Sequence, residues 1–308
     1  MTTKTGVPDG TPPPRAAAGR GRVVSAELAF DVEEPADIAL SIAAARGPRV
    51  LVERLATTTT GEAPLVEPTE LTAPHGGRIH LLHAPRGLLS VSYWAELEQA
   101  PAAPAASPGG DTVAHKDISP GLADAGGLTM EQLTYLWPSR YCPSDHVVGF
   151  AVAEFGGLPP GRPRVDAIAA WIHHRIGYVP GSSAVHDSAE DTLLTGQGVC
   201  RDFAHLGITL CRALLIPARF AAVYAPGLTP MDFHAVFEAW IDGAWRVYDA
   251  TRKVPRASLV RIATGRDAAD AAFADILGGI VTLQSIEVTA TTAGDLPVDE
   301  HTSGALLS

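Results

Sequence analysis

One cysteine of this sequence stands where a nucleophile would be placed. Cys200 follows the turn Gly196-Gln197-Gly198 and precedes an apolar stretch that is typical of a buried helix. At the first turn of a helix, free backbone N–H groups and the helix dipole favour the thiolate, which is the reactive form of cysteine. The position indicates a thiol that attacks an acyl carbon, and a cysteine that only fills a buried site is the alternative at this point.

The potential partners nearest in sequence to Cys200 are excluded by helix geometry. His205 would lie roughly 140° around the helix from Cys200, so its ring points away. Cys211 shares the face of Cys200 but would lie about 16 Å further along the axis, beyond the ~7 Å Cα separation that a disulfide tolerates. We therefore expect Cys211 to pack in the core, and the base must come from another element.

That element is a β-hairpin, FHAVFEAWIDGAWRVYDAT, whose Asp242-Gly243 pair is a type I′ turn signal. A two-residue turn fixes the register, so Val236 would face Asp249 and His234 would face Thr251. Side chains alternate along a strand, which places His234 and Asp249 on one face as diagonal neighbours. A shift of one residue in the register would separate them. An edge histidine beside an ordinary acidic residue is the alternative.

Together these residues predict a Cys200–His234–Asp249 triad. Cys200 would attack the acyl carbon, His234 would accept the thiol proton and later donate it to the leaving group, and Asp249 would orient the imidazole and stabilise its cation. The Cys200 backbone N–H is a natural oxyanion donor. The position of Gln197 in the turn predicts its amide as a second donor; a solvent-facing turn residue is the alternative.

Other side chains with possible chemistry lead to no further site. His75, His80 and His83 lack a cysteine or carboxylate at ligand spacing, so we interpret them as surface or strand histidines. Pro143 separates Cys142 from His146, which makes a shared helical face starting at Cys142 unfavourable. We expect neither a bound metal nor a cofactor.

Bulk properties restrict the class of protein. The 308 residues carry a net charge of −11 and no basic stripe, which argues against a nucleic-acid partner. Three cysteines do not make a disulfide scaffold, and the sequence shows neither a signal-peptide core nor a long apolar segment. These features predict a cytoplasmic protein without a membrane span.

The predicted strands and helices that would position these residues fall into two units. Short alternating runs separated by turn residues predict a small antiparallel β unit, whereas the second unit mixes helices, such as Arg164–Ile176, with the hairpin. A short helix capped by Asp187 or Ser188 precedes Gly196. The predicted division is a disordered tail at 1–21, a β-rich N-terminal domain at 22–99, a linker or long loop at 100–127, a catalytic domain at 128–290 and a C-terminal tail at 291–308.

At this point the sequence resembles a known family. GQGVCRDFAHL and the hairpin, together with YLWPSRYCPSD, AEDTLLTG and GRDAADAAF, are similar to the core of bacterial transglutaminase-like proteins over roughly residues 128–290. The resemblance implies an α+β papain-like fold, with the nucleophile helix packed on an antiparallel sheet and a β-rich domain before it. It also implies Cys200, His234 and Asp249 as the triad. Arg201 stands where animal transglutaminases carry an aromatic residue, and no acidic cluster resembles a calcium loop.

The resemblance leaves the reaction open, because one fold supports several chemistries. The leading hypothesis is a thioester acyl-enzyme formed from a peptide, protein or small amide substrate and resolved by water, as in a protease or amidase, or by an amine. One alternative is an acyl-CoA-dependent amine acyltransferase, although the arginine and double glycine that precede the cysteine in arylamine acetyltransferases are absent here. The other is a catalytically idle binding module, which the complete triad disfavours.

Overall fold

The computed structural model describes residues 21–47, 49–61, 67–99, 128–302 and 305–307. The predicted linker at 100–127 and the predicted tail, apart from its last residue Gly21, lie outside the described residues. In the part of the chain that is described, no helix is both long and apolar enough to cross a membrane.

The N-terminal region is built from strands, as the alternating sequence predicts. In the first strand, β1, every second residue from Val24 to Val32 is buried, and the same alternation runs from Leu89 to Leu97 in β6. Such alternation gives each strand one core face and one outer face. The six strands of this region are β1 Gly21–Glu34, β2 Ala36–Leu40, β3 Val50–Thr59, β4 Thr69–Thr72, β5 Arg78–Ala84 and β6 Gly87–Glu98.

Two strands from the far end of the chain complete these sheets. Strand β13 (Ala274–Leu277) pairs with β2, and β14 (Ile280–Thr292) runs antiparallel along the whole of β1. The sheet orders are β14-β1-β6-β3 and β13-β2-β5-β4. The predicted division put residues 274–290 into the 128–290 catalytic domain, whereas the pairing joins them to the β-rich region. Sequence alternation identifies a strand but carries no information about a partner so distant along the chain.

The region from residue 128, which we call the catalytic region after its predicted role, contains five helices around a third antiparallel sheet, of order β11-β10-β9-β12. The longest helices, α3 and α5, carry the amphipathic and apolar patterns noted in the sequence. The elements are α1 Met130–Thr134, α2 Val148–Phe155, α3 Arg162–Arg175, β7 Gly177–Tyr178, α4 Ala189–Thr195, β8 Gln197–Gly198, α5 Cys200–Ala213, β9 Ala218–Tyr224, β10 Phe233–Ile241, β11 Ala244–Tyr248 and β12 Val260–Gly265.

Helix α5 is the central element of this region. It contacts β9 and β10 on one side and α2, α3 and α4 on the others, and every residue from Asp202 to Ala213 is buried. Gly207 permits the close approach to β10, because a Cβ at this position would lie only 2.4 Å from the ring of Phe237. The nucleophile helix therefore packs on the antiparallel sheet, as the predicted α+β fold requires.

The segment that leads into α5 begins with helix α4, whose two ends are both capped. Ser188 caps α4, with its N–H donating to Asp191 Oδ2 at 2.8 Å, which confirms one of the two predicted caps. Gly196 ends α4 in the left-handed conformation, with φ of 69°, which glycine adopts without strain. The parallel pair β7 and β8 follows and leads directly to Cys200.

The end of the chain packs against the catalytic region. Asp299 forms an ion pair with Arg256 at 2.9 Å, and the backbone N–H of Val247 in β11 donates to the carbonyl of Ala305 at 2.9 Å. The segment predicted as a C-terminal tail at 291–308 therefore includes residues held by the fold, since an ion pair and a strand bridge both need a specific partner.

Candidate active site

The hairpin of β10 and β11 has the predicted register. Asp242 and Gly243 both adopt positive φ, at 53° and 74°, as a type I′ turn requires. Ile241 pairs with Ala244, and the ladder continues to Phe237 and Tyr248. His234 and Asp249 lie just beyond this ladder, where the two strands have begun to separate.

His234 and Asp249 are nevertheless in contact. The Nε2 atom of His234 lies 3.2 Å from Oδ2 of Asp249, and both side chains are buried. The second carboxylate oxygen of Asp249 accepts hydrogen bonds from the Thr251 N–H at 2.9 Å and from the Thr251 hydroxyl at 2.6 Å. Thr251 therefore fixes the carboxylate that orients the imidazole, a role that the sequence did not predict.

This contact changes the acid–base properties of both groups. Burial lowers the pKa of His234, but the charge and hydrogen bond of Asp249, together with the Cys200 side chain, outweigh it and raise the pKa to about 10. Burial raises the pKa of Asp249, but His234 and Thr251 reverse this and hold the pKa below its ordinary value. The pair is therefore a buried imidazolium and carboxylate at neutral pH.

Cys200 is the first residue of α5 and is half-buried. Its side chain lies close enough to the His234 ring to help raise the pKa of that ring. Because Nε2 of His234 faces Asp249, the other ring nitrogen, Nδ1, is the atom left to exchange a proton with the thiol. Nδ1 is buried and has no hydrogen-bond partner within the described residues.

A buried carboxylate supports the turn before Cys200. The N–H of Val199 donates to Asp202 Oδ2 at 2.8 Å, and the Ser183 hydroxyl donates to Asp202 Oδ1 at 2.9 Å. Arg201 donates to the same Ser183 oxygen at 2.6 Å. Asp202 thus joins the start of α5 to the loop that follows β7. This role was not predicted, although an acidic residue in the first turn of a helix is a signal for it in the sequence.

The residues that helix geometry excluded lie away from Cys200. His205 is buried, accepts a hydrogen bond from the Ala268 N–H at 3.1 Å and stacks on Tyr141 with ring centroids 5.1 Å apart. Burial lowers the pKa of His205, so its ring is neutral. Burial also raises the pKa of Cys142 to about 12 and raises that of Cys211. All three cysteines are free, and these two are protonated, unreactive thiols.

Gln197, the predicted second oxyanion donor, lies in β8 and is exposed. Its backbone carbonyl accepts a hydrogen bond from the Thr195 hydroxyl at 3.3 Å. Its side chain has no hydrogen bond to any residue that the structure describes. The role of Gln197 as an oxyanion donor stays a prediction.

The three N-terminal histidines occupy different environments. His75 lies in a short 3₁₀ turn, and its Nε2 atom lies 2.8 Å from the hydroxyl of Tyr135, so it contributes to the contact between the two regions. His80 is buried in β5 beside Glu70, and His83 is exposed beside Asp37. Within the described ranges, no group of three or more histidine, cysteine or acidic side chains could hold a metal ion.

The comparisons with known proteins agree with this fold. Residues 151–250 match the family model of the transglutaminase-like superfamily. A crystal structure of a candidate cysteine protease from Cytophaga hutchinsonii is 34% identical, with a TM-score of 0.77, and the match covers 92% of this chain and 96% of that one. An uncharacterised protein of Mycobacterium leprae is 33% identical over 146 residues, which span 44% of this chain and 52% of that protein. The chain belongs to the transglutaminase-like superfamily.

Proposed function

We propose that this protein is a cysteine enzyme that forms a thioester from a peptide or amide substrate. The thioester is resolved by water, as in a protease or amidase, or by an amine, as in acyl transfer. The observation that carries the proposal is the position of His234, which interacts with the Cys200 side chain on one side and with Asp249 on the other. A nucleophile, a base and a residue that orients the base are the parts that acyl transfer needs.

The proposed reaction follows from these contacts. It starts from a Cys200 thiolate whose proton is already carried on Nδ1 of the His234 imidazolium, and the sulfur attacks the carbonyl carbon, forming the C–S bond. The C–N bond breaks as His234 gives this proton to the departing amine, and Asp249 stabilises the imidazolium until that transfer. In the second half, His234 takes a proton from water or from an amine, which attacks the thioester carbon and breaks the C–S bond.

The substrate class is supported by the relative from Cytophaga hutchinsonii, which is described as a candidate cysteine protease. We extend peptide-bond chemistry to this chain on that basis, and we propose peptides, proteins or small amides as substrates.

A free Cys200 must stay reduced to act as the nucleophile. The cytoplasm, a reducing compartment, is the location that we propose for this chemistry.

Selective labelling of the three thiols tests the proposal. Full-length protein is treated with iodoacetamide at neutral pH, and the alkylation of each cysteine is followed by mass spectrometry. We expect Cys200 to react well before Cys142 and Cys211, because burial holds those two in the thiol form. We expect His234→Ala to slow the labelling of Cys200, because its base and counter-ion are lost.

The matched control is His83→Ala, which removes an exposed imidazole from the β-rich region and should leave the labelling of Cys200 unchanged. Equal labelling of all three cysteines in the folded protein would contradict the proposal. The same conclusion would follow if His234→Ala labelled as fast as the wild type, because the imidazole would then not activate the thiol.

A further inference from the structure

Tyr178 is held beside the nucleophile by the short parallel pair of β7 and β8. The Gly177 N–H donates to the Gly196 carbonyl at 2.8 Å, and the Val179 N–H donates to the Gly198 carbonyl at 3.0 Å. This register sets Tyr178 opposite Gly198, two residues before Cys200. These hydrogen bonds therefore join the residues that follow α3 to the residues that precede α5, next to the proposed nucleophile.

The ring of Tyr178 is fixed on two sides. Its centroid lies 5.9 Å from that of Phe203 in α5, and the Lys253 ammonium lies 4.1 Å from the same centroid. Through its pairing with Gly198 and its contact with Phe203, the ring lies beside the first turn of α5, where the backbone and side chain of Cys200 both influence the pKa of the phenol. Burial, followed by that charge, raises the pKa of Tyr178 to about 12, so the hydroxyl keeps its proton at neutral pH.

We infer that the Tyr178 hydroxyl completes the oxyanion hole of this site, as a donor that acts together with the Cys200 backbone N–H. The inference rests on the proposed acyl-enzyme chemistry, because an oxyanion forms only when the thiol attacks a carbonyl. A protonated phenol beside a helix N-terminal amide would supply two donors for one developing charge.

The hydroxyl acts in one defined step. When the Cys200 sulfur forms its bond to the carbonyl carbon, the π electron pair of the carbonyl moves onto oxygen. The O–H of Tyr178 and the N–H of Cys200 then both donate hydrogen bonds to that oxygen. As the tetrahedral intermediate collapses, the electron pair re-forms the carbonyl, the leaving group departs with the proton from His234, and Tyr178 retains its own proton throughout.

The same strand pair places Tyr178 and Gln197, the donor predicted from the sequence, on opposite faces. Residues that pair across a parallel ladder share a face, so Tyr178 lies on the face of Gly198, whereas the preceding residue, Gln197, points to the opposite one. Gln197 is exposed, in contrast to the half-buried Tyr178. The geometry therefore favours the phenol over the amide as the second donor.

The experiment compares two reactions of Cys200 that differ in whether an oxyanion forms. Acetylation by p-nitrophenyl acetate passes through a tetrahedral oxyanion, whereas alkylation by iodoacetamide does not. Both rate constants are measured on the full chain by mass spectrometry of the Cys200 peptide, and their ratio is compared between variants. The variants are Tyr178→Phe, which keeps the ring and removes the hydroxyl, Gln197→Ala, and the control Tyr141→Phe, whose ring stacks on His205 away from Cys200.

We expect Tyr178→Phe to lower the acetylation-to-alkylation ratio by about 10²-fold, the usual effect of losing one oxyanion donor. Alkylation should be unchanged, and Tyr141→Phe should match the wild type.

An unchanged ratio in Tyr178→Phe would overturn the inference. An equal fall in both rates would also overturn it, because it would indicate that the thiol itself has been displaced. A ratio lowered by Gln197→Ala but not by Tyr178→Phe would assign the donor to Gln197. If wild-type Cys200 reacts with neither reagent faster than Cys142, the proposed function itself fails.

Discussion

His234 and Asp249 are both buried, and the charge of either side chain would destabilise the fold if the other were absent. An isolated buried charge is costly, and removing one member of a buried pair leaves the other uncompensated. Here Thr251 supplies two further hydrogen bonds to the carboxylate, and the imidazole lies between Asp249 and Cys200. The result is an imidazole with one fixed orientation, which the proposed proton transfer to and from a single sulfur requires.

The pKa shifts predict how this pair contributes to stability as the pH changes. The pKa of His234 is raised in the folded state, so its contribution is complete below the unfolded value of about 6.5 and is lost as pH rises towards about 10. The pKa of Asp249 is lowered, so its contribution is present above the unfolded value of about 3.9 and is lost in more acidic solution.

We therefore expect His234→Gln to lower the free energy of unfolding most between about pH 4 and 6.5, and progressively less as pH rises to about 10. Urea unfolding of the variant and the wild type at pH 5.5, 7.5 and 9.5 measures the difference. A difference that grows with pH would contradict the assignment of His234 as a buried imidazolium.

At the scale of elements, α5 depends on a carboxylate at its own start. Asp202 accepts a hydrogen bond from Val199 and another from Ser183, so it both caps the helix and fixes the loop after β7. A side chain that satisfies the free N–H groups of a helix also sets the direction in which the chain enters it. Asp202 is therefore a positioning residue for Cys200.

We expect Asp202→Ala to destabilise the fold by about 1–2 kcal/mol, as the loss of a cap does, and also to slow iodoacetamide labelling of Cys200. The matched control is Asp191→Ala, which removes the corresponding carboxylate from the cap of α4. It should lower stability without slowing the labelling relative to the wild type. If the two variants label Cys200 equally fast, Asp202 has a structural role only.

At the scale of the whole molecule, the β-rich region encloses the catalytic region in sequence. Strands β1 to β6 come before it, and β13 and β14 come after it, yet all eight belong to the same pair of sheets. Both ends of the catalytic region are therefore attached to one unit, and β1 reaches its full complement of hydrogen bonds only when β14 pairs with it.

This arrangement predicts that a substitution that destabilises β14 also destabilises β1. Val288, on β14, is buried, and burying an unpaired charge there is strongly destabilising. We expect Val288→Asp to increase amide hydrogen exchange in residues 21–34 as well as in 280–292. Thr282→Asn, at an exposed position of the same strand, is the control and should preserve protection in both segments. Unchanged exchange in residues 21–34 would contradict the pairing.

The contact between His234 and Asp249 was predictable because its determinants are local. The Asp242-Gly243 turn fixes the register, and the register fixes which residues share a face, so His234 and Asp249 follow from two strands and a turn. Tyr178 and Asp202 could not be assigned in this way, since their contacts depend on how separate segments pack. The partner of β14 was missed for the same reason, because strand alternation is the same whichever strand lies beside it.

Strand β14 is the last strand in the sequence, so it is synthesised long after its partner β1. A chain emerges from the ribosome from its N-terminus, so β1 is exposed long before Ile280, the first residue of its partner strand, has been made. All three residues of the proposed triad precede that point, so a chain that ends before Ile280 contains them but leaves β1 with an unpaired edge. An unpaired edge is a template for pairing with other chains, so we expect a chain that ends before β14 to aggregate more readily than the 308-residue chain.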